Sequence, residues 1–481
     1  MKLYELLDGV EVLGGYPLNP EISNVTDDSR KVRNSSVFVC VKGKKNDGHD
    51  YARKALERGA AVVICDHNIG IRNCIVVENT REAYALMCAN YYGNCHRKLK
   101  MIGVTGTNGK TTTTFIIKKI LEENGYKVGV IGTVDVMIGN EKYPSDYTTP
   151  NPSVLHRYLY MMKMAGCDVC IIEASSRALS QERTYGIHFD IGVFTNLTRE
   201  HLDYHGMMEE YAKAKAILMR NSSVCIINAD DSFAEMMKRN AAEKVVTFAI
   251  DGNADIKAEN VKLNHGGVVY TLACESGRYE TAYDVIGKFS VYNSLAALAV
   301  GIVMKVDMKR AVRAVAEMKT VRGRIEKIPN NRNIHILIDF AHTPDSLENV
   351  LKTVRDIYDK RIITVFGCGG DRDRTKRPLM GRIACKYSDL VYVTSDNPRT
   401  EDPEQIIDDI VGNIDKNNYI RTADRTQAIK AAIVEAEPGD TVLIAGKGHE
   451  RYQILGTEKI HYDEREIVKQ ILDNGANFKD D

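Results

Sequence analysis

Short apolar runs alternate with polar turns over the first part of the chain, residues 1 to about 98. Residues 37–41 and 60–64 are two such runs, and each has the length and the β-branched content of a buried strand. A basic segment at residues 97–100 separates this region from the next one. We therefore expect residues 1–98 to form a first domain.

From residue 99 to residue 323 the pattern changes to strand, helix, strand, which is typical of a parallel sheet. In one predicted helix apolar residues recur between positions 115 and 121, and Asn124-Gly125 ends the pattern. Gly323-Arg324 is predicted to be a hinge into a third region, residues 324–481.

The third region again has an α/β pattern, and polar residues follow each of its predicted strands. The strands are expected at residues 334–338, 362–366, 390–394 and 442–445. In an open parallel sheet the carboxyl ends of the strands form the binding crevice. The segments that follow them are therefore predicted to line a ligand site: residues 339–342, 367–372, 396–399 and 446–450.

A glycine-rich segment between an apolar run and a helical pattern carries the strongest chemical signal. It runs from Gly103 to Thr111 and reads Gly-Val-Thr-Gly-Thr-Asn-Gly-Lys-Thr. Such a loop turns its backbone N–H groups around phosphate oxygens, while Lys110 adds a point charge and the Thr111 hydroxyl can reach a phosphate-bound Mg²⁺. Val104 stands where the usual pattern has a glycine, so the loop is a variant. We predict a site for ATP or GTP rather than an ordinary turn, because strand, loop and helix coincide.

Composition and charge exclude other classes. The chain has 481 residues, 44% of them hydrophobic, and its 65 basic residues equal its 65 acidic ones. No overall field favours nucleic acid or a membrane surface, and no apolar run reaches the roughly 18 residues of a membrane span. The 11 scattered cysteines, Cys167 and Cys170 included, indicate reduced thiols, and the amino terminus lacks a signal-peptide pattern. We expect a cytoplasmic protein.

Two further segments carry candidate catalytic groups. Glu173 ends an apolar strand, where a carboxylate close to a phosphate loop can hold Mg²⁺. His201 lies in a segment dense in histidines and carboxylates, but histidine is an unusual Mg²⁺ ligand, so its spacing leaves its role open. Lys213 and Lys215 lie in an amphipathic helix, and composition alone predicts that both are exposed to solvent.

Four motifs together resemble those of the Mur ligase family, ATP-dependent amide-bond-forming enzymes of bacterial cell-wall synthesis. They lie at residues 105–111, 201–206 (His-Leu-Asp-Tyr-His-Gly), 339–344 (Asp-Phe-Ala-His-Thr-Pro) and 367–372 (Gly-Cys-Gly-Gly-Asp-Arg). The resemblance implies an α/β fold with three domains. These are an N-terminal uridine-nucleotide-binding domain (1–98), a central P-loop ATPase-like domain with a parallel sheet (99–323), and a C-terminal Rossmann-like domain that binds the amino acid (324–481).

The resemblance also implies ATP and Mg²⁺ as cofactors and assigns residues to both. The residues expected to be catalytic are Lys110, Glu173, His201 and Lys215. The expected Mg²⁺ ligands are Thr111, Glu173, His201 and Lys215, the last after reaction with CO₂ to a carbamate, which replaces the surface interpretation of that lysine. The expected ATP contacts are Gly106, Thr107, Asn108, Gly109, Lys110, Thr111, Thr112, Asn293, Arg324, Asp339 and His342.

Two small-molecule substrates follow from the same resemblance, with no nucleic-acid or membrane partner and a monomeric chain. For UDP-N-acetylmuramoyl-L-alanyl-D-glutamate the implied contacts are Ser29, Lys44, Lys45, Asn46, Thr148, Thr149, Ser175, Gln181 and Arg183. For meso-diaminopimelate they are Arg372, Asp396, Asn397, Pro398, Arg399, Gly446 and Glu450. Asp-Asn-Pro-Arg resembles the signature of diaminopimelate-adding members, and a planar arginine fork suits the second carboxylate that lysine lacks.

Several alternatives and departures stay open at this point. L-Lysine or another amino acid is an alternative acceptor with the same chemistry. A folate ligase should lack the segment around Asp28, a nucleotide-switched binding protein would need no second metal site, and a DNA-handling ATPase should show stacking aromatic residues in basic grooves. The chain departs from the family pattern at Tyr147, Arg177, Ser290 and Phe340.

Overall fold

Three large sheets and one two-stranded sheet organise the chain in the computed structural model. The structure describes residues 1–15, 18–43, 46–145, 147–412 and 414–473. Strands of the first sheet lie between residues 12 and 77, those of the second between 100 and 283, and those of the third between 326 and 445. Among the described residues, no helix is both long and apolar enough to cross a membrane.

The first sheet has the strand order β1-β5-β4-β3-β2 and is parallel except for the β1–β5 pair. The predicted runs at residues 37–41 and 60–64 form most of β3 and β4. Helix α3 begins after Asn79, whose side chain accepts hydrogen bonds from the backbone N–H groups of Arg81 and Glu82. The elements are α1 (Leu3–Leu6), β1 (Val12–Gly14), β2 (Asn24–Thr26), β3 (Ser36–Val39), α2 (Ala52–Glu57), β4 (Ala60–Cys65), β5 (Cys74–Val77) and α3 (Thr80–Tyr91).

The second sheet has eleven strands in the order β16-β15-β14-β13-β12-β11-β6-β10-β7-β8-β9. Its elements are β6 (Lys100–Thr105), α4 (Lys110–Glu123), β7 (Val128–Ile131), β8 (Asp135–Ile138), β9 (Glu141–Pro144), α5 (Pro152–Met164), β10 (Val169–Glu173), α6 (Ser176–Ser180), β11 (Phe189–Phe194), α7 (Leu202–His205), α8 (Met208–Arg220), β12 (Ser222–Asn228), α9 (Ala234–Arg239), β13 (Lys244–Ala249), β14 (Ile256–Asn264), β15 (Gly267–Cys274), β16 (Gly277–Tyr283), α10 (Lys288–Val303) and α11 (Met308–Ala316).

The expectation of a parallel central sheet holds only for its middle. Strands β7, β10, β6, β11, β12, β13 and β14 run parallel, whereas β8 and β9 at one edge and β15 and β16 at the other pair antiparallel. The middle strands β6 and β10 are buried almost throughout, because helices cover both faces of the sheet there. The edge strand β9 is largely exposed and has no buried residue.

The third sheet has the order β17-β18-β22-β19-β20-β21 and is parallel except for β17. The four predicted strands form β18, β19, β20 and β22, with ends that differ by no more than one residue. The elements are β17 (Glu326–Ile328), β18 (His335–Asp339), α12 (Pro344–Ile357), β19 (Ile362–Phe366), α13 (Lys376–Tyr387), β20 (Leu390–Val393), α14 (Pro403–Val411), β21 (Tyr419–Arg421), α15 (Arg425–Glu435), β22 (Thr441–Ala445), β23 (Tyr452–Leu455), β24 (Glu458–His461) and α16 (Glu464–Asp473).

Two buried histidines lie where the first domain leads into the second. His96 is in a short 3₁₀ turn before β6, His156 is in α5, and their ring centroids are 5.6 Å apart. None of the four ring nitrogens has a hydrogen-bond partner among the described residues. Burial lowers the pKa of His96 to about 4 and that of His156 to about 3, so both rings are neutral at neutral pH.

Acidification should therefore destabilise the protein through these rings. The unfolded chain protonates its histidines near pH 6.5, whereas the folded chain does so only near pH 3 to 4. Between these values the unfolded state binds more protons, so the free energy of unfolding falls as the pH drops. We expect a loss of about 2 kcal/mol per histidine between pH 8 and pH 5. Burial also lowers the pKa of His342 to about 4 and that of His449 to about 3, so these rings add to the acid sensitivity of the protein. The His156→Leu variant should therefore remove only its own share of about 2 kcal/mol, seen as a smaller shift of the thermal unfolding midpoint between the two pH values.

The matched control is His461→Gln, since that ring is exposed and forms a surface pair with Glu466. The control should keep the full acid sensitivity. If His156→Leu kept it as well, burial of this ring would not be one of its sources.

Candidate functional site

The glycine-rich loop connects the carboxyl end of β6 to the amino terminus of α4, at the centre of the parallel part of the second sheet. Gly106 and Gly109 have φ values of +151° and +85°. A Cβ atom on Gly106 would lie 1.9 Å from Thr195 Oγ1, and one on Gly109 would lie 2.3 Å from Asn293 Oδ1. Both positions thus need glycine for conformation and for space. The predicted contact Asn293, which lies in α10, is brought directly against the loop.

Neighbouring strands hold the rest of the loop. The side-chain carbonyl of Asn196 accepts a hydrogen bond from the Asn108 N–H at 2.9 Å, and its amide donates back to the Asn108 carbonyl at 3.0 Å. Thr195 Oγ1 also donates to that carbonyl, and the Thr107 hydroxyl pairs with Tyr211 at 3.2 Å. The predicted residues 106–112 therefore form one rigid turn from β6 into α4.

The carboxylate of Glu173 is fully buried at the end of β10, beside the loop. It accepts hydrogen bonds from the Thr111 hydroxyl at 2.9 Å and from the hydroxyl and N–H of Thr133 at 2.9 and 3.0 Å. Glu173 and Thr111, predicted independently, are thus in direct contact. Thr133 follows β7 and was not recognised in the sequence, although its place at a strand end next to β10 is a signal of the same kind.

Lys215 is buried, with 1% of its surface exposed, so the composition-based prediction of an exposed side chain is wrong. Its Nζ donates to the Gly106 carbonyl at 2.8 Å, and Lys110 Nζ donates to the same oxygen at 2.8 Å. Burial, and after it the nearby Lys110 charge, lower the pKa of Lys215 well below its usual range. Lys213 in the same helix is exposed, as predicted. The Lys110 ammonium group makes the inner side of the loop attractive for anions, while the lowered pKa of Lys215 favours its neutral form.

Residues of the third domain reach this loop. Arg324 Nη2 donates to Thr111 Oγ1 at 3.4 Å, and its guanidinium lies over the Phe340 ring. Burial raises the pKa of Asp339 to about 6 despite the opposing charge of Arg324, and the carboxylate accepts a hydrogen bond from the Ile325 N–H. Arg324 and Asp339 are thus part of one cluster with the loop.

The two predicted histidines face a common carboxylate. His201 Nε2 lies 3.7 Å and His342 Nε2 lies 3.8 Å from Glu200 Oε1. Burial lowers the pKa of His342 to about 4, and its Nδ1 pairs with the Phe340 carbonyl. His201 has a left-handed backbone, with φ +57°, at the start of α7. Glu200 directly precedes the recognised motif at residues 201–206, but it was not expected to connect the second and third domains.

Asp345 is another contact that the sequence did not reveal. It lies in the first turn of α12, and its Oδ2 accepts hydrogen bonds from Asn108 Nδ2 at 3.1 Å and from the Thr198 hydroxyl at 2.8 Å. An acidic residue in the first turn of a helix is common, because it interacts favourably with the helix dipole. The sequence therefore offered no reason to expect that Asp345 contacts another domain.

A cavity of about 770 Å³ lies between the first domain and the second. The predicted residues Ser29, Asn46, Gln181 and Arg183 line it, whereas Lys44 and Lys45 lie outside the described residues. Cations outnumber anions in its wall, which suits a diphosphate. The charged lining residues are Asp27, Asp28, Arg30, Lys54, Arg58, Arg81 and Arg183.

A chain of polar contacts leads from this cavity to Glu173. Arg183 Nη1 donates to the Thr149 carbonyl at 2.7 Å, and the Thr149 hydroxyl contacts Ser175 Oγ at 3.2 Å. The Thr148 hydroxyl lies 3.0 Å from that of Thr133, which in turn donates to Glu173. The residues predicted to contact the muramoyl dipeptide are therefore arranged as a path from the first domain to the phosphate loop.

The residues predicted to bind an amino acid are brought together in the third domain. Asn397 donates to Glu450 Oε2 at 2.9 Å, and a Cβ on Gly446 would lie 2.7 Å from Asp396 Oδ2. Burial alone would raise the pKa of Asp396, but Lys447, Arg425 and Lys376 outweigh burial and lower it. Asp396 is therefore an anion in a cationic environment.

Lys447 completes this cluster and was missing from the predicted set. Its side chain is fully buried, and Nζ donates to Asn397 Oδ1 and to Glu450 Oε2, each at 3.0 Å. Lys447 lies between two glycines directly after a buried strand, a pattern similar to that of the phosphate loop at residues 103–111. This pattern could have indicated a functional lysine.

Two predicted arginines flank a single glycine. A Cβ on Gly369 would lie 2.9 Å from Arg399 Nη1 and 3.7 Å from Arg372 Cγ. Arg399 has a left-handed backbone, with φ +54°, and its Nη1 donates to the Gly370 carbonyl at 2.9 Å. The Pro398 carbonyl would contact a side chain on Gly370 at 1.8 Å, so the loop 367–372 packs closely on 396–399.

The positions that depart from the family pattern have identifiable neighbours. Arg177 stacks on the Tyr204 ring, and Arg183 lies over the Tyr147 ring, so both departures lie beside the cavity. Ser290 in the first turn of α10 donates to the carbonyl of Ile286, which precedes the helix. Phe340 packs between His342 and His449, with ring centroids 4.5 and 4.7 Å apart respectively.

Fold and site together define a three-domain nucleotide-binding α/β protein with a phosphate loop at the junction of its domains. Comparison with known families agrees. The family description "Mur ligase family, catalytic domain" matches residues 21–92, "Mur ligase middle domain" matches 104–301, and "Mur ligase, glutamate ligase domain" matches 323–448.

Individual relatives extend over nearly the whole chain. UDP-N-acetylmuramoyl-L-alanyl-D-glutamate–2,6-diaminopimelate ligase 1 of Clostridium acetobutylicum is 44% identical over 479 residues, which is 98% of this chain and 99% of the relative. A solved structure of a UDP-N-acetylmuramoyl-L-alanyl-D-glutamate–2,6-diaminopimelate ligase has a TM-score of 0.72 and 33% identity to this chain, with 99% of each chain covered. The MurF ligase of Thermotoga maritima in complex with ADP has a TM-score of 0.61 at 19% identity, covers 93% and 96% of the two chains, and so shows the fold. The chain belongs to the Mur ligase family.

The close fit at Gly109 gives a test of the nucleotide site. In Gly109→Ala the new Cβ would collide with Asn293 Oδ1, and the positive φ would cost about 1–2 kcal/mol more. We expect affinity for ADP to fall roughly tenfold or more, measured by calorimetric titration.

Gly125→Ala provides the matched control, because Gly125 has nearly the same φ of +88° but a Cβ added there would have no atom within 4 Å. This variant should lose stability without losing nucleotide affinity. Equal loss of affinity in both variants would mean that backbone strain, not contact with Asn293, sets the effect.

Proposed function

We propose that this chain is an ATP-dependent ligase that joins meso-diaminopimelate to UDP-N-acetylmuramoyl-L-alanyl-D-glutamate in the cytoplasm, as a step of peptidoglycan precursor synthesis. The observation that carries the proposal is the cluster of Asn397, Arg399, Lys447 and Glu450 at the strand ends of the third domain. It offers cations for carboxylates and a carboxylate for an ammonium group. Relatives named for this reaction, 42–44% identical, support the choice of substrates.

The reaction is proposed to proceed in two steps. An oxygen of the D-glutamate side-chain carboxylate attacks the γ-phosphorus of ATP, the bond to the β-phosphate oxygen breaks, and ADP leaves. The product is an acyl phosphate. The amine of diaminopimelate then attacks the acyl carbon, loses a proton, and phosphate leaves with the electron pair of the broken C–O bond.

The contribution of the protein is mainly electrostatic. A carboxylate and a triphosphate repel each other, and Lys110 at the phosphate loop offsets that repulsion. Arg324 and Asn293 approach the loop from the third domain and from α10, where they can position the nucleotide. Contact between the domains also keeps water away from the acyl phosphate.

The residues present fit Mg²⁺ at the loop. A buried carboxylate and a hydroxyl, Glu173 and Thr111, are hard oxygen ligands 2.9 Å apart, and His201 is proposed to stand nearby. The lowered pKa of Lys215 favours the neutral amine, which can attack CO₂ and lose a proton to give a carbamate. Bound there, Mg²⁺ would neutralise phosphate charge.

The first test measures phosphate release from ATP in the presence of UDP-N-acetylmuramoyl-L-alanyl-D-glutamate. We expect release with meso-diaminopimelate and little with L-lysine, because lysine lacks the second carboxylate. In Arg399→Lys the loss of the planar fork should lower kcat/KM for diaminopimelate by about 30-fold, the equivalent of about 2 kcal/mol, with ATP affinity unchanged.

Arg374→Lys is the matched control, since Arg374 lies near the same loop but is exposed, and its partner Glu401 also pairs with the buried Arg377. Its kinetics should stay close to those of the unmodified enzyme. Efficient phosphate release with L-lysine would support the ligase activity but refute diaminopimelate as the acceptor. An equal loss of ATP affinity and of kcat/KM for diaminopimelate in Arg399→Lys would refute the role of the arginine fork.

A second test concerns the buried lysine. Lys215→Ala should abolish turnover, and small carboxylic acids should restore part of it by replacing the carbamate anion. The restored activity should increase with acid concentration, measured by phosphate release at saturating ATP. Near-normal turnover without added acid would contradict the proposed carbamate.

A further inference from the structure

Two thiols approach each other in the first domain, far along the chain from the phosphate loop. Cys65 is the last residue of β4, and Cys40 follows the neighbouring strand β3, with its N–H bonded to the Ile64 carbonyl. Their sulfur atoms are 3.7 Å apart and both residues are fully buried. Two thiolates on one tetrahedral Zn²⁺, with Zn–S bonds of about 2.3 Å, would be separated by about 3.8 Å. The spacing therefore matches shared coordination.

An oriented imidazole lies next to the two thiols. His49 Nδ1 pairs with Asp47 Oδ1 at 2.6 Å, and the same carboxylate oxygen accepts the His49 N–H at 3.0 Å. A carboxylate on one ring nitrogen is the usual support of a metal-binding histidine, because it orients Nε2 and raises its basicity. The ligand atoms that Cys40, His49 and Cys65 can offer all lie within 4.8 Å of one another.

Asp66 lies beside His49 and connects the cluster to solvent. Its Oδ1 lies 3.2 Å from His49 Nε2, and its side chain is 39% exposed. It also lines a cavity of about 540 Å³, together with Lys42 and Arg81. The donor set of two sulfurs and one nitrogen, completed by water, is typical of Zn²⁺ and unsuited to Mg²⁺. An ion can therefore reach the cluster through the side of the domain that holds Asp66.

The thiols do not ionise readily by themselves. The adjacent Cys40 thiol and burial raise the pKa of Cys65 far above its usual range, and burial raises that of Cys74 to about 12. A divalent cation between two sulfurs removes this penalty, because it neutralises both thiolates. Binding would release one proton from each thiol to the solvent, so affinity should increase with pH.

We propose that Cys40, Cys65 and His49 form a binding site for a thiophilic divalent cation such as Zn²⁺, with the fourth coordination position open to water on the side of Asp66. The ion would link His49, in the turn Asp47-Gly48-His49, to the cysteines at the ends of β3 and β4. That turn already packs tightly, since a Cβ on Gly48 would lie 2.6 Å from the Val41 nitrogen. Gly48 and Val41 also line the larger cavity, so the ion would stabilise one of its walls.

The test uses the full-length, reduced protein stripped of metal and titrated with Co²⁺ and then Zn²⁺. We expect one Co²⁺ per chain with the absorption bands of tetrahedral thiolate coordination, which Zn²⁺ then removes by displacement. Bound Zn²⁺ should also protect the peptides containing Cys40 and Cys65 from alkylation, as read by mass spectrometry. Alkylation needs no variant, so it tests the site even if a variant fails to fold.

Variants then identify the ligands. Cys65→Ser and His49→Gln should abolish stoichiometric binding, and Asp47→Asn should weaken it by about 10- to 100-fold through the loss of ring orientation. Two controls should keep it: Cys74→Ser, a thiol beside Cys65 outside the assigned set, and Cys88→Ser, a buried thiol in α3. The proposal is wrong if the unmodified protein takes up no stoichiometric Co²⁺, if Cys74→Ser loses it, or if Cys40 and Cys65 form a disulfide even in the presence of Zn²⁺.

Discussion

The convergence of two lysines on one carbonyl oxygen is the constraint around which the central domain is built. Lys110 and Lys215 both donate to the Gly106 carbonyl at 2.8 Å, and burial lowers the pKa of each. A second ammonium group beside Lys110 would be repelled by it, so the lowered pKa of Lys215 favours its neutral form and Lys110 carries the positive charge at this oxygen. Burial of these amines costs stability, but it places a positive charge where phosphate can bind. Close packing of β6, β11 and α8 is needed to hold both side chains in place. The neighbouring carboxylate Glu173 is equally constrained, because threonine hydroxyls and an N–H group hold its oxygens.

Most of the architecture could be predicted because it depends on local patterns. The strands at residues 362–366 and 442–445 are apolar runs bounded by glycine and polar residues, and such runs are buried wherever helices cover both faces of a sheet. The antiparallel edges of the central sheet were not predicted. Strands β8 and β9 are short and contain polar residues, and nothing in their local pattern distinguishes a hairpin added to a parallel sheet from surface loops.

The site could be predicted only where chemistry and spacing coincide within one segment. Lys213 and Lys215 show the limit, since two residues in a helix are rotated by about 200° from each other and therefore face opposite sides. Which side faces the loop depends on how α8 packs against β6, a long-range fact that composition does not contain. Thr133, Asp345 and Lys447 were missed for a related reason, because each acts through a partner that is distant in the chain.

Contacts between the second and third domains explain how separate sites can serve one reaction. Arg324 reaches Thr111, and Asp345 accepts hydrogen bonds from Asn108 in the same loop. Gly323, which precedes Arg324, packs closely on Gly448, so a Cβ added to Gly323 would lie 2.1 Å from the His449 nitrogen. The segment that carries Arg324 is therefore packed directly on residues 446–450. One short segment thus contacts both the phosphate loop and the predicted amino-acid cluster, which suits the proposed reaction, in which phosphate transfer from ATP precedes attack of the amine on the acyl carbon.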